Sequence, residues 1–171
     1  MVVLLDEWPT ERDWIAAKKR ALVTVGKDAK RAPSDEWKKK ILLAKHSPIR
    51  RLQFSFYIEC PYWVSVHLCR HVHAQPYVKS QRNDRQSEYD RNTAPQNETV
   101  CMIWDMNAEE LMNIANKRLC YKASPETRLV VQEMCRQVVE ILPEFKDVLV
   151  PNCVACGGLC KEMQPCGKMN N

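Results

Sequence analysis

The amino-acid sequence predicts an α+β fold built as a single domain with a short cysteine-rich tail. The first observation is length, because 171 residues can bury one sizeable hydrophobic core. The second is a set of four segments that carry helix-start signals and are rich in helical apolar spacing. The third is LQFSFYI, residues 52–58, whose apolar side chains alternate with period two, as in a half-buried strand. We place the domain at residues 1–150 and the tail at residues 151–171.

Four helices are predicted from the residues that begin and end them. Each starts after a residue whose side chain can accept a hydrogen bond from the free backbone N–H groups of the first turn. These capping residues are Thr10, Ser34, Asn107 and Ser124. The predicted helices span about residues 10–25, 34–45, 107–121 and 124–142. In the third, Glu110 stands three residues after Asn107, which is the spacing of a capping box.

Apolar segments between the helices supply the strands. LQFSFYI is predicted to be a strand with one buried face, and VCMIWDM, residues 100–106, to be a short second strand. YWVSVHLC, residues 62–69, is largely apolar and fits either a helix or a strand. The polar stretch at residues 81–99 contains a proline and predicts a long loop, which in a compact domain is usually functional or mobile.

Composition and charge exclude several classes of protein. No apolar run is long enough to span a membrane, and the start, MVVLLDEW, lacks the pattern of a signal peptide. Nine cysteines in a chain without that pattern favour a reducing compartment, where most of them are free thiols. The net charge of +5 favours anionic partners only mildly. We therefore expect a soluble, cytoplasmic protein.

Cationic and titratable side chains are unusually dense in one segment. The stretch CRHVHAQPYVKSQRNDR, residues 69–85, contains three arginines, two histidines and a lysine. Farther along, Arg118 falls on the apolar stripe of the third helix, where it either extends to solvent or faces a cleft that holds an anion. Each guanidinium can bind a phosphate through two hydrogen bonds. If Arg118 converged with Arg70, Arg82 and Arg91, the four together would therefore form a phosphate-binding site.

Four motifs occur in one order along residues 35–142. The first is the segment HSPIRRLQFSFYIECPYWV. The second is RH at residues 70–71 followed by SQR at residues 80–82. The third and fourth are NAEELMNIANKR and ASPETR. In this order they resemble the strand, the signature and the two helices of the flavin-dependent thymidylate synthases. Arg91 and Pro95 also match the family in their distances from the NAEELMNIANKR motif. The chain is identified as a divergent, short member of that family.

The resemblance assigns roles to individual residues. It implies that the nucleotide dUMP is bound by Ser80, Arg82, Arg91, Arg118 and His67. It implies that FAD is bound by Arg70, His71, Asn107 and Asn113. Arg118 would also be the catalytic residue, because its guanidinium would stabilise negative charge that develops on a carbonyl of the uracil ring. The family uses no protein nucleophile, so Ser80 is not expected to be one.

The resemblance also implies a sheet type, a reaction and an assembly. A central, mostly antiparallel or mixed sheet packed with helices is expected. The reaction would be the reductive methylation of dUMP to dTMP, with the carbon from methylenetetrahydrofolate and the reducing equivalents from NADPH through FAD. The active sites would be shared between the subunits of a homotetramer. Neither a membrane nor a nucleic acid is expected as the main partner, and the source would be a bacterial or phage-infected cell.

Several positions depart from the family pattern. Val72 and Val78 stand where the signature has an arginine and an acidic residue. Glu109 and Lys122 replace an arginine and a histidine, and His67 replaces a glutamine. The residues expected at the nucleotide are retained better than those expected at the flavin. An alternative is therefore a diverged enzyme that transfers another one-carbon unit to a pyrimidine nucleotide.

The tail contains four cysteines in the segment CVACGGLCKEMQPC. Thiolates at this density can form a structural zinc site or hold an iron–sulfur cluster. The predicted ligands are Cys153, Cys156, Cys160 and Cys166. The alternative is a tail of free thiols. The remaining cysteines lie in apolar or helical segments and are expected to be core thiols.

The basic stretch and the tail leave one non-enzymatic hypothesis, a basic, zinc-containing nucleic-acid-binding protein. That class requires cations on one exposed face together with stacking aromatic side chains. An enzyme instead requires the cations to converge on a pocket. Individual residues also have structural alternatives. Asn107 could serve merely as a helix cap, and His71 could be a core histidine. The retained family positions favour the enzyme.

Overall fold

A four-stranded sheet forms the centre of the molecule, whose computed structural model describes residues 1–86 and 89–168. The strands are β1 (Val2–Glu7), β2 (Gln53–Pro61), β3 (Gln75–Val78) and β4 (Thr99–Asn107). Their order across the sheet is β1-β2-β4-β3, and every neighbouring pair is antiparallel. The prediction of an α+β fold around a mostly antiparallel sheet is therefore confirmed.

The helices surround the sheet in the order that the sequence predicts. They are α1 (Glu11–Val23), α2 (Asp35–Leu43), α3 (Tyr62–Cys69), α4 (Ala108–Arg118), α5 (Pro125–Ile141) and the single turn α6 (Asn152–Ala155). The four predicted helices are confirmed, although α1, α2 and α4 end two or three residues early. The ambiguous segment YWVSVHLC is helix α3. Among the described residues, no helix is both long and apolar enough to cross a bilayer.

Side-chain caps explain where these helices begin. Ser34 and Ser124 each accept a hydrogen bond from the backbone N–H three residues later, at 3.3 and 3.4 Å. Asn107 Oδ1 accepts one from the backbone N–H of Glu110 at 3.0 Å, as predicted. Only this half of the predicted capping box forms. The other half would need the Glu110 carboxylate to accept from the backbone N–H of Asn107, but that carboxylate contacts His71 instead.

The two faces of the sheet differ in burial. Phe54, Phe56 and Ile58 of β2 and Met102 and Trp104 of β4 point to one face and are buried in the core. The opposite face carries a row of residues paired across all four strands, which are Leu4, Tyr57, Ile103 and Tyr77. Three members of this row are exposed, so this chain alone buries only one face of its sheet.

Two helices follow their strands without a loop. β2 ends at Pro61 and α3 begins at Tyr62, while β4 ends at Asn107 and α4 begins at Ala108. Because β2 and β4 are antiparallel neighbours, α3 and α4 start from opposite ends of the sheet. Both helices contact the sheet, and their C-terminal ends meet. The sheet register therefore sets where these two helix ends lie.

Candidate active site

The C-terminal ends of α3 and α4 come together around Arg118. The last turn of α3 leaves backbone carbonyls without partners inside the helix. Arg118, the last residue of α4, donates from Nη2 to the backbone oxygen of His67 at 2.9 Å and from Nε to Nε2 of His71 at 2.9 Å. The negative end of the α3 dipole favours a cation at this place. Three residues predicted from the sequence are thus in direct contact.

The contacts of His71 with Arg118 on one side and Glu110 on the other together determine its tautomer. A guanidinium can only donate, so Nε2 accepts, and the ring proton of the neutral imidazole lies on Nδ1. Nδ1 stands 3.5 Å from Oε1 of Glu110. Burial and the charge of Arg118 lower the pKa of His71 to about 4, so the ring is neutral at pH 7. The ring of Trp104 packs edge-on against the imidazole, with 6.2 Å between ring centroids.

The positive charge of Arg118 is not balanced by an adjacent carboxylate. Among residues 1–86 and 89–168, no ion pair joins Arg118 to an aspartate or a glutamate. Burial lowers the pKa of Arg118, and the charge of the nearby, exposed Arg70 acts in the same direction. An unbalanced guanidinium beside a second cation attracts an anion or a carbonyl that is gaining negative charge.

An open cleft lies next to this cluster. It is lined by His71, Lys117, Arg118 and Lys122, together with Glu162 from the C-terminal segment. Three cationic side chains therefore face one carboxylate, with a neutral imidazole between them. This balance suits an anionic ligand better than a cationic one.

A second cleft shares Glu110 with the cluster. It is lined by Arg50, His73, Asn107, Glu109, Glu110 and Asn113. The Asn113 amide donates to Oε2 of Glu110 at 3.4 Å, while Glu109 forms an ion pair with Arg50. The two asparagines that the resemblance assigns to FAD thus line one polar cleft.

The other residues assigned to the nucleotide lie in the segment after β3. Ser80 Oγ accepts a hydrogen bond from the backbone N–H of Arg82 at 3.3 Å. The Arg82 guanidinium donates twice to Asp84, at 2.9 and 2.6 Å. Arg91 donates from its backbone N–H to Oδ1 of Asn83 at 3.2 Å, and both arginines line one surface cavity. Arg82 and Arg91 are exposed, so both are accessible to a ligand.

The predicted site residues therefore form two groups within one chain. The central group consists of His67, His71, Asn107, Asn113 and Arg118, with Arg70 beside it. The loop group consists of Ser80, Arg82 and Arg91. In the part of the chain that the structure describes, no hydrogen bond connects the two groups, and the cavity lined by Arg118 differs from the cavity lined by Arg82 and Arg91.

Glu110 lies at the centre of the first group, and the sequence-based prediction does not include it. Its position three residues after Asn107 indicates a role in the helix cap. A second pattern in the sequence, its spacing along α4, indicates a different role. Glu110, Ile114 and Arg118 recur every four residues and so share one face of α4. A carboxylate on a buried helix face requires a polar partner, so this spacing could have indicated that Glu110 is paired, although not with which residue.

The predicted metal site in the tail is not supported by the structure. Among residues 1–86 and 89–168, no three His, Cys, Asp or Glu side chains stand close enough to hold an ion. The Cys156 thiol lies 3.6 Å from Oδ1 of Asn152, within reach of a hydrogen bond. The other three predicted ligands line a small apolar cavity with Cys120. This correction also removes the zinc knuckle on which the nucleic-acid-binding alternative depended.

The two fully buried thiols are expected to resist alkylation in the native protein. Burial raises the pKa of Cys60 to about 11 and that of Cys135 to about 12, so almost no reactive thiolate exists at pH 8. Brief treatment with a maleimide should modify half-buried cysteines such as Cys153 and Cys160 before the two buried ones. Mass spectrometry of peptides would test this order, with guanidinium-unfolded protein as the control. Equal labelling of Cys135 and Cys153 in the native state would contradict it.

Comparison with known proteins supports the resemblance seen in the sequence. A family model described as thymidylate synthase complementing protein matches residues 83–144. This span contains Arg91, Asn107 and Arg118. This part of the chain is therefore similar to that family. Among curated protein sequences, none matches the chain significantly.

Solved structures show the same fold at low sequence identity. The UMP/dUMP methylase PolB from Streptomyces cacaoi, bound with 5-Br dUMP, aligns with a TM-score of 0.68 and 14% identity over 87% of this chain and 96% of PolB. The flavin-dependent thymidylate synthase ThyX from Helicobacter pylori, complexed with FAD and dUMP, aligns with a TM-score of 0.71 and 16% identity over 86% of this chain and 99% of ThyX. At these identities the likeness establishes the fold of this chain and not its substrate.

Proposed function

We propose that the protein is an enzyme that methylates dUMP, with Arg118 at the uracil ring. The observation that carries this proposal is the contact of Arg118 with His71 beside a cationic cleft. The two hydrogen bonds from Arg118 leave its charge unbalanced but hold its position. A guanidinium fixed in advance can stabilise negative charge on a pyrimidine carbonyl without reorganising during the reaction. The dUMP and 5-Br dUMP bound to the two structural relatives agree with such a substrate.

The residues of the second cleft fit a flavin ring. A flavin presents carbonyl oxygens and an N–H along one edge, which the amides of Asn107 and Asn113 can complement. Arg50 offsets the charge of Glu109 in this cleft. When bound, FAD reduced by NADPH would supply the reducing equivalents, and methylenetetrahydrofolate would supply the carbon. The chain itself would orient the nucleotide and stabilise charge on it.

A complete site would draw on more than one copy of the chain. The loop group carries exposed guanidinium groups suited to a phosphate, and the central group carries the guanidinium suited to a base. Their separation within one chain supports a site shared between copies in a homo-oligomer, such as the tetramer that the resemblance implies. We also infer that residues 1–150 form one unit and that residues 151–171 are a cysteine-rich tail.

The decisive test is tritium release from 5-tritiated dUMP. The purified protein would receive FAD, NADPH and methylenetetrahydrofolate, and each would be omitted in turn. Release that requires all three is the expected result, because methylation at C5 replaces the hydrogen there. No release in spite of dUMP binding would reject thymidylate synthesis and favour the alternative, another one-carbon unit on a pyrimidine nucleotide. Absence of dUMP binding would reject both.

Replacing Arg82 with alanine is expected to weaken dUMP binding by roughly 10- to 100-fold. A charge-assisted hydrogen bond contributes about 1.5–3 kcal/mol, and Arg82 would exchange its contact with Asp84 for the phosphate. Calorimetric titration would measure the change. Arg85→Ala, which removes an exposed arginine from the same turn, is the matched control and should leave the affinity unchanged. Equal affinities of the Arg82 and Arg85 variants would remove Arg82 from the site.

A further inference from the structure

Glu110 is a buried carboxylate in the first turn of α4. Only 5% of its surface is exposed, and its backbone N–H is bound by the Asn107 side chain. Burying a carboxylate is unfavourable unless polar partners compensate for the lost water. Its carboxylate partners are the Asn113 amide at 3.4 Å and the Nδ1 atom of His71 at 3.5 Å. The side chain therefore lies between the two clefts and contacts a residue of each.

These contacts form a directed chain of donors and acceptors. Arg118 donates from Nε to Nε2 of His71, and the opposite nitrogen of the same ring, Nδ1, faces Glu110. The separation of 3.5 Å is longer than an ordinary N–H···O hydrogen bond, and such contacts often shorten when a ligand closes the site. The carboxylate accepts and the guanidinium donates, so only the Nδ1–H tautomer satisfies both neighbours.

We propose that Glu110 is a positioning residue that holds His71 in the Nδ1–H tautomer and so fixes Arg118 toward the ligand cleft. The role of Arg118 at the nucleotide is the part of this inference that rests on the proposed function. The tautomer itself rests only on the contacts of Glu110, His71 and Arg118.

The consequence of losing the carboxylate follows from the same geometry. Without an acceptor at Nδ1, the His71 proton can move to Nε2, which would place a donor against the Nε–H of Arg118. Two donors repel at that distance, and Arg118 would keep only its bond to the His67 carbonyl. One contact does not fix the orientation of a planar guanidinium, so its remaining N–H groups would no longer be held toward the cleft.

The direct test is the tautomer of His71. Two-bond couplings between ring protons and ring nitrogens in a 15N-labelled sample distinguish the Nδ1–H form from the Nε2–H form. The chain has four histidines, and a His71→Asn variant identifies the signals of His71. We expect the Nδ1–H form in the wild-type protein and in Glu110→Gln, whose amide oxygen can still accept. We expect loss of that form in Glu110→Ala.

Activity provides the second readout. Glu110→Ala should lower kcat for dUMP by ~10²-fold, the size expected when a catalytic group is misplaced by about 1 Å. Glu110→Gln should restore most of that loss. The matched control is Glu144→Ala, which removes another buried glutamate outside both clefts and should change neither the tautomer nor kcat.

Three outcomes would overturn the inference. They are an Nε2–H tautomer in the wild-type protein, an unchanged tautomer in Glu110→Ala, and equal kcat losses in Glu110→Gln and Glu110→Ala. If the alanine variant does not fold, the tautomers of the wild-type and glutamine proteins still decide the question. If the wild-type protein does not act on dUMP, the proposed function fails, whereas the tautomer result stands on its own.

Discussion

Replacing Arg118 with alanine is expected to reduce kcat/KM for dUMP by roughly 10²- to 10³-fold, the loss seen when one fixed donor to a developing negative charge is removed. The change also leaves Nε2 of His71 and the carbonyl of His67 without their donor. Arg118→Lys should recover only part of the activity, because an ammonium group lacks the rigid planar fork of donors with which the guanidinium makes both contacts. Steady-state tritium release would measure the effect.

Two further variants make this result specific. Arg136→Ala removes an arginine from the exposed side of α5, where it pairs with Glu133 and Glu140, and its activity should equal that of the wild type. Arg118→Ala and Arg82→Ala proteins, each impaired at a dUMP concentration below saturation, should regain activity when unfolded together and refolded as a mixture. Recovery would show that one site takes Arg118 and Arg82 from different copies. No recovery, with mixed oligomers demonstrated, would place both groups of residues in the same chain.

Replacing Phe54 with alanine is expected to destabilise the protein by about 3–5 kcal/mol, the range for truncating a buried phenylalanine. Phe54 is 1% exposed and packs edge-on against Phe145, with 5.4 Å between ring centroids, and face-on near Phe56 at 6.5 Å. Phe145 in turn contacts Trp14 of α1, so one ring connects the sheet, the chain after α5 and the first helix.

Thermal or guanidinium unfolding followed by circular dichroism would measure this loss. Since total stabilities are about 5–15 kcal/mol, the Phe54→Ala protein should unfold at a temperature roughly 10 °C lower or fail to accumulate. Leu129→Ala is the control, because Leu129 is 51% exposed on α5 and its truncation should cost under about 0.5 kcal/mol. Similar losses in the two variants would mean that the aromatic cluster is not a main source of stability.

The helices could be predicted because their signals are local. Thr10, Ser34, Asn107 and Ser124 are polar residues directly before apolar periodic segments, and a cap depends only on the next three residues. β1 and β3 are absent from the prediction because they become strands through pairing with residues far along the chain. In β3 a proline further weakens the strand pattern, which is tolerated because β3 lies at the edge of the sheet.

The candidate site could be predicted only in part. The resemblance indicated Arg118, His71 and the two asparagines, and the structure places all four around Glu110. It could not indicate Glu110 itself, because the role of that carboxylate depends on where the end of α3 lies. The tail prediction failed for a related reason. The spacing of the cysteines gives their separation along the sequence. Metal binding depends instead on how the thiols are arranged in three dimensions.

The direct junctions between β2 and α3 and between β4 and α4 restrict which insertions and deletions the protein can tolerate. Inserting one residue at Asn107–Ala108 would turn α4 by about 100° relative to the sheet and carry Glu110 and Arg118 away from His71 together. The segment between β3 and β4 does not lead directly into a helix, so a change in its length does not turn α3 or α4 relative to the sheet. Insertions and deletions compatible with activity should therefore accumulate at residues 79–98 and be absent from the two junctions, even where most side chains have been replaced.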